Sequence, residues 1–550
     1  MRRAPRLGRM AIALCLLSCA SLPVLAQRTP ARPPANVANH SDKIAMDGLN
    51  DAARSALDAT VAALQSGALG EAERSARAAV SAAPRSAVTH NVLGVVLDRA
   101  GHAREAFAEF TAAVKLDPNF VSGHNNIGRL LAQQGKTAEA IGEFERVIRI
   151  DPTHMQAHYN LGALYGDAGD FVKSAEHFAR ARAAAPDDPQ LALAFLNVAF
   201  RANRTAEANA AADLVERSVG KDPRTLFTLA TVLAENKQYE RAARLYAQVN
   251  EAMPHTFEVL YNMGIALYNL DRNTEAARAL AEAADLNPAP AETHFRLGLI
   301  ASAQHDHANA IEEFKHSVER DPKNANYYYL LGREYFNVGF WDGAIDAYSH
   351  AMALDPKQAA YVLGRANANY RKGEGAAAAA DFDRAAALDP NIQDIVYWQG
   401  YTHRVAGDFD RARQYLEKFL STHPDHADSL ASLGFIAIEQ GRLDDAEPLL
   451  KRALQLSPDD ISALYDYARI ALKRRDYTEA VARLQRVIER DQANTQAHYQ
   501  LFLAYSRLKQ QERAQTELAE FKRLEALDKQ VKQERMLDDK LRTQQMLGQP

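Results

Sequence analysis

The sequence predicts an all-α fold, an α-solenoid of antiparallel helix pairs, and three observations carry that prediction. Prolines fall on a lattice of step 34: Pro84, Pro118, Pro152, Pro186, Pro254, Pro288, Pro322, Pro356, Pro390, Pro424 and Pro458 occupy it, and only Gly220 and Gln492 break the series. Small residues recur at fixed places between the prolines, and glycine recurs midway. A period of this length marks a stack of like supersecondary units. Counting back from the lattice gives fourteen 34-residue units over 53–528.

The segments before the array read differently. Arg2, Arg3, Arg6 and Arg9 precede an apolar run, Met10 to Leu17, and Val24-Leu25-Ala26 supplies small residues for a peptidase. Residues 1–26 are therefore expected to be a secretory signal cut before Gln27, which places the chain in the periplasm or outside the cell, with outer-membrane association open. Two rival readings are an imperfect lipobox, Leu16-Leu17-Ser18-Cys19, which would anchor the chain through Cys19, and a twin-arginine signal at Arg2-Arg3. Residues 27–52, with Pro30, Pro33, Pro34 and Asn36, read as a flexible tether. The only cysteines are Cys15 and Cys19, so a chain cut before Gln27 has no disulfide, thiolate metal site or thiol nucleophile. Losing four Arg and no acid takes the formal net charge from −5 to −9, which gives no global basic field for nucleic acid. No later stretch is long and apolar enough to span a membrane.

Within a unit, position 8 is Gly94, Gly128, Gly162, Gly264, Gly298, Gly332, Gly400 or Gly434, with Ala230, Ala366 and Ala468 as substitutes. Position 20 is alanine except at Ser174. Small side chains let two helices approach closely. Position 24 is often aromatic, as in Phe110, Phe144, Phe178, Phe314 and Phe382, and is expected to fill the space beside them. Position 15 is often Gly (Gly101, Gly135, Gly169, Gly339, Gly407), which suits the left-handed residue that ends a helix. The proline at position 32 ends the second helix, because it has no N–H to donate and restricts the residue before it. Each unit is a helical hairpin.

Unit 3 shows the pattern in full, with Asn126-Ile127-Gly128, Gly135, Ala140, Phe144, Val147 and Asp151-Pro152. In this register the chain resembles the tetratricopeptide repeat family. The resemblance implies a right-handed superhelix whose first helices line a concave groove that holds a peptide or a partner helix. Unit 5 departs from it, with Leu196 in place of Gly, Gly220 in place of Pro, and Pro189 and Pro223 at its ends, so 189–222 is a candidate for a softer joint. The last helix is expected to run from about Gln511 to Met546, with 529–550 forming a cap and tail; a dimerising helix is the alternative.

Motifs for chemistry are largely missing. Gly135-Lys136-Thr137 resembles the end of a phosphate loop, but the preceding glycine is wrongly spaced and no strand precedes it. His90, His124, His158, His294 and His498 all fall at position 4, which points to packing rather than metal binding, and His305-Asp306-His307 falls at the turn. No catalytic residue, cofactor site or metal site is expected.

The groove is the functional candidate. Positions 2, 5, 6, 9, 12 and 13 form one stripe of the first helix. In units 9 to 11 it carries Asn326, Arg333, Phe336, Asn337, Asn367, Tyr370, Arg371, Tyr397, Trp398, Tyr401 and Arg404; earlier, Asn126, Asn160 and Asn262 share position 6. Arginine forks can hold carboxylates, amides can pair with a peptide backbone, and rings supply rigid contact area. An asparagine at position 6 resembles the ladder of some peptide-binding members of the family. The two-carboxylate clamp of chaperone-binding members is not matched. The sequence thus predicts a non-enzymatic scaffold that binds protein or peptide in its groove and supports an envelope assembly or secretion complex. Two alternatives are a carbohydrate-binding or polysaccharide-export accessory protein and the regulatory subunit of an enzyme.

Overall fold

The computed structural model describes residues 49–546 apart from Lys221, with side chains described as far as Glu534. The signal segment with Cys15 and Cys19, the tether before Leu49 and the last four residues lie outside them. Among the described residues there are 28 helices and no strand. They form fourteen consecutive helix pairs, from Asp51–Gln65 with Leu69–Ala82 to Thr495–Arg507 with Gln511–Met546. The last helix has the limits expected from sequence. The chain divides into two compact bodies, one ending at Lys237 and the other beginning at Gln238. Only the sixth pair, Pro223–Glu235 and Tyr239–Ala252, is divided between them.

Within each body a first helix packs on its own second helix, and that second helix packs on the first helix of the next unit. First helices of successive units also touch, as Ile395–Ala406 does with Ala427–Glu439 and the latter with Ile461–Lys473; no comparable contact joins successive second helices among the described residues. Within each body the first helices therefore line one side.

The turn inside each pair obeys one backbone rule. Position 15 has positive φ in all fourteen units, through eight glycines (φ 73° to 97°) and through Asn203, Lys237, Asp271, His305, Arg475 and Lys509 (φ 58° to 62°). The turn between pairs is set by Asp-Pro. Asp117, Asp151, Asp355 and Asp389 are extended, as a following proline requires. Their carboxylates accept the N–H two residues on, at 3.0 Å from Asn119 and Thr153, 3.2 Å from Lys357 and 2.9 Å from Asn391.

Positions 8, 20 and 24 form the interface of each pair. A Cβ on Gly94 or Gly298 would stand 2.6 Å from the ring of Phe110 or Phe314, so the missing side chain is what lets the ring lie against the opposite backbone. Gly128 and Gly162 face Phe144 and Phe178 in the same way. The alanines at position 20 are buried throughout. Ser174 satisfies its hydroxyl by donating to the Gly162 carbonyl at 2.6 Å. Unit 5 reverses the size order: Leu196 stands at position 8 and a small Ala212 at position 24, and both are fully buried. Its helices, Pro189–Arg201 and Thr205–Ser218, start and end in register, and Asp188 and Asp222 cap the helices that open with Pro189 and Pro223.

The position-4 histidines pack, as expected. Nδ1 of His90, His124 and His498 lies 2.6 Å from Glu109, Glu143 and Glu517, and Nε2 lies 3.0 to 3.1 Å from the carbonyls of Pro84, Pro118 and Gln492. Each ring ties both helices of its unit to the preceding turn. His158 faces His177 instead, with Nδ1 to Nδ1 at 3.0 Å. Among the described residues no group of three or more His, Cys, Asp or Glu side chains is placed to hold a metal, and no helix is long and apolar enough to cross a membrane. In the last helix Ala514 and Leu524 are buried and Phe521 meets Tyr499 at 5.1 Å, whereas Leu527 is exposed.

Candidate functional site

The stripe expected from sequence is sorted by the stacking of first helices into residues spent on packing and residues left on the face. In unit 3 Asn126 is fully buried, a correction to its expected place in the groove. Its Nδ2 donates to Asn91 Oδ1 at 2.9 Å across the seam between the first helices of units 2 and 3. Position 6 there points at the neighbouring repeat rather than at solvent. Asn160 is half-buried and accepts from Gln156 at 3.3 Å, and Asn262 is half-buried in unit 7. The three asparagines share a register position without sharing an environment.

In unit 9, Arg333 and Asn337 gather around a residue that the stripe does not include. Glu334, fully buried at position 10, receives Ser302 Oγ at 2.7 Å, His307 Nδ1 at 2.8 Å, Asn337 Nδ2 at 3.3 Å and Arg333 at 3.4 Å. Burial works against the charged carboxylate of Glu334, yet the Ser302 and His307 hydrogen bonds and the Arg333 charge hold it below the usual carboxylate range. Asn367 is spent locally, donating to the Leu363 carbonyl at 2.8 Å. Neither Arg333, Asn337 nor Asn367 is free to act as a simple groove ligand.

The remaining residues do come together. Tyr370, Trp398 and Tyr401 meet edge to face, with ring centroids 5.8 to 6.0 Å apart, the offset geometry that aromatic quadrupoles favour. Trp398 lies flat on the buried ring of Phe382 (5.9 Å, 10°), which fixes its orientation. The Tyr370 hydroxyl bonds the Tyr401 hydroxyl at 3.4 Å; burial first, then that bond, push the Tyr370 phenol up to about 12, so it stays protonated. Arg404 lies over Tyr401 at 4.7 Å and over Phe435 at 5.1 Å. Arg371 is exposed and lies 5.5 Å from the Trp341 ring. Tyr397 is the second correction: it is 7% exposed and packs beneath the face against Phe419 and His426, so it supports Trp398 and Tyr401 from below.

Three contributors lie outside the residues singled out from sequence. Trp341 opens the second helix of unit 9 (Trp341–Leu354), off the stripe, and nothing in the periodicity announces it. Phe435 and Arg469 occupy position 9 in units 12 and 13, so extending the same stripe by two units finds them. Arg469 is held by Asp466 at 2.9 Å and by Glu439 while it leans on Phe435.

Helix pairs on a 34-residue period, with an aromatic and arginine cluster on the first helices of units 10 to 12, define a repeat solenoid. Models of the tetratricopeptide repeat family match residues 91–154, 125–189, 261–325, 329–391, 397–461 and 437–504, more than half of the chain, and the chain belongs to that family. Among solved structures it is similar to MamA from Desulfovibrio magneticus RS-1 (25% identity, 32% of this chain and 98% of that one, TM-score 0.30). It is also similar to Pseudomonas aeruginosa pilF (21%, 38% and 95%, TM-score 0.34) and to the Naa15/Naa10 structure bound to HypK-THB (15%, 90% and 100%, TM-score 0.32). No curated protein matches significantly.

Proposed function

We propose that the protein is a non-enzymatic scaffold that holds a protein segment against the first helices of units 10 to 12, and that it does so in the bacterial envelope, supporting an assembly or secretion complex there. The observation that carries the binding reading is the cluster of Tyr370, Trp398, Tyr401 and Arg404. These side chains are half-buried, locked against one another, and left uncovered on the side where first helices meet. Rigid aromatic and arginine side chains of this kind are the usual anchors of protein interfaces, because they offer contact area at little entropic cost. The envelope location rests on the N-terminal signal read from sequence.

The test is a pull-down from envelope extract with the chain from Gln27 onward, beside a variant carrying Arg371→Ala, Trp398→Ala and Arg404→Ala. Proteins held by the parent and lost by the variant, at unchanged helicity, are the expected result. The same set from both would refute a partner on this face.

A further inference from the structure

Across units 7 to 13 the arginines of the first helices fall into two groups. Arg296 is paired with Glu292 at 2.7 Å, Arg333 with Glu334 at 3.4 Å, Arg365 with Asp381 at 2.6 Å, and Arg469 with Asp466 at 2.9 Å. Arg371 and Arg404 have no carboxylate partner among the described residues; each lies on aromatic rings instead. In a chain of net charge −5, two guanidiniums without a salt bridge in successive repeats stand out among these units, although the Arg404 charge is felt by Asp466 of unit 13.

We propose that Arg371 and Arg404 form a two-point seat for the side-chain carboxylates of an acidic, extended peptide segment, with Tyr370, Trp398 and Tyr401 as its floor. This rests on the reading that a partner segment lies on this face, and adds the chemistry of that segment. A guanidinium laid on a ring keeps its edge N–H groups in one plane, a fork ready for a carboxylate. Arg404 is half-buried with its Nε shut off from water and without an acceptor, so that N–H has no water to lose when a ligand arrives. Of the two bonded phenols, only one can donate to the other, which leaves the second O–H for a ligand oxygen. The Tyr370 phenol feels both cations, so the two forks and the hydroxyl pair belong to one electrostatic neighbourhood. Two cations from neighbouring repeats beside an apolar floor match carboxylates spaced along a chain better than one small ion.

The molecule carries its own reporter. Trp341 and Trp398 are its only tryptophans, and both border the seat. The full chain is titrated, with tryptophan emission followed, against hexaglutamate, hexaglutamine, inorganic phosphate and heparin at low and high salt. The expected result is a saturable change with hexaglutamate that hexaglutamine does not produce, that added salt weakens, and that Arg371→Ala or Arg404→Ala weakens about tenfold with far-UV circular dichroism unchanged. Arg404→Lys, which keeps the charge and loses the fork, should fall between. Equal binding of hexaglutamine, or no loss in either alanine variant, overturns the seat. Phosphate or heparin binding as tightly, with the same sensitivity to the variants, overturns the peptide. If hexaglutamate has no effect while Trp398→Ala alone abolishes capture of the envelope partner, the acidic segment is refuted and the binding face survives. If that variant also leaves capture intact, both are refuted.

Discussion

Arg475 and Gly441 occupy the same turn in neighbouring repeats, and exchanging their residue types should move stability in opposite directions. Both are at position 15, with φ of 62° for Arg475 and 76° for Gly441. A Cβ at Gly441 would meet nothing within 4 Å, and Arg475 is exposed, so packing does not enter and the backbone alone decides. An L-residue in the left-handed region costs about 1–2 kcal/mol. Glycine gives back about 0.4–1 kcal/mol of that through its freer unfolded chain. The net expectation is a gain of about 0.5–1 kcal/mol for Arg475→Gly and a loss of the same size for Gly441→Ala. Stability in a stack is close to a nearest-neighbour sum, so the effect should stay local. Hydrogen exchange read by mass spectrometry over Ala427–Glu439, Leu443–Leu456, Ile461–Lys473 and Tyr477–Arg490 resolves it. Arg475→Gly should slow exchange in the second pair of helices, and Gly441→Ala should speed it in the first, each by about two- to fivefold. Shifts of the same sign, or none for Arg475→Gly, would refute positive φ as the constraint on this turn.

Leu196→Gly should cost about 2–5 kcal/mol through the cavity it leaves, and adding Ala212→Phe, which restores the size order of unit 3, should recover part of that in urea unfolding; a double variant no better than the sum of the singles would show the two positions are not complementary. His177 is held down to about 4, first by burial and then by the charge of His158. The unfolded chain therefore takes up a proton before the folded one, and stability complete above about pH 6.5 should be lost as pH falls toward 4. His177→Glu, which copies the Glu partner that His90, His124 and His498 have, should flatten that loss in melting temperature against pH. Glu447 is held down to about 2 by hydrogen bonds from Arg474 and Lys451, so its contribution is present above about pH 4.3 and disappears toward pH 2; Glu447→Gln should reduce the fall in urea midpoint over that range.

The helical hairpins were legible because the lattice aligns fourteen copies, so the glycine of position 8 and the ring of position 24 could be matched before their contact was seen. The turn at position 15 was legible only through its glycines. The rule proves wider, since the hairpin geometry imposes positive φ on Lys237, Asp271 and Arg475 just as on Gly407. Periodicity assigns a face to an isolated helix and says nothing of what arrives from the next repeat. That is why Asn126 and Tyr397, correctly placed on the stripe, turn out to be covered, by Asn91 in one case and by Phe419 and His426 in the other. Trp341 was out of reach for the converse reason: it reaches Arg371 from a second helix, and no pattern within the first helix points to it.

Recurrence separates what holds the fold from what the face can recognise. Residues at positions 8, 15, 20 and 32 repeat because every hairpin has the same close approach and the same two turns to make. Position 5 does not repeat in kind. It is Leu57, Asn91, Asn125, Tyr159, Leu193 and Phe227 in the first body and Tyr261, Phe295, Tyr329, Leu363, Tyr397, Ala431, Tyr465 and Tyr499 in the second, with Asn91 and Asn125 buried. Where it is a short amide, as at Asn91, it is covered by the neighbouring repeat, and where it is a ring its exposure runs from 7% at Tyr397 to 39% at Tyr499. Arg371 and Arg404 lie on rings from other positions, Trp341 of a second helix and Tyr401 and Phe435 at position 9, where Arg296, Arg365 and Arg469 have carboxylates. Substitution at the recurring positions should therefore register as stability, and substitution at Arg371, Arg404 or Trp398 as binding with the helices intact.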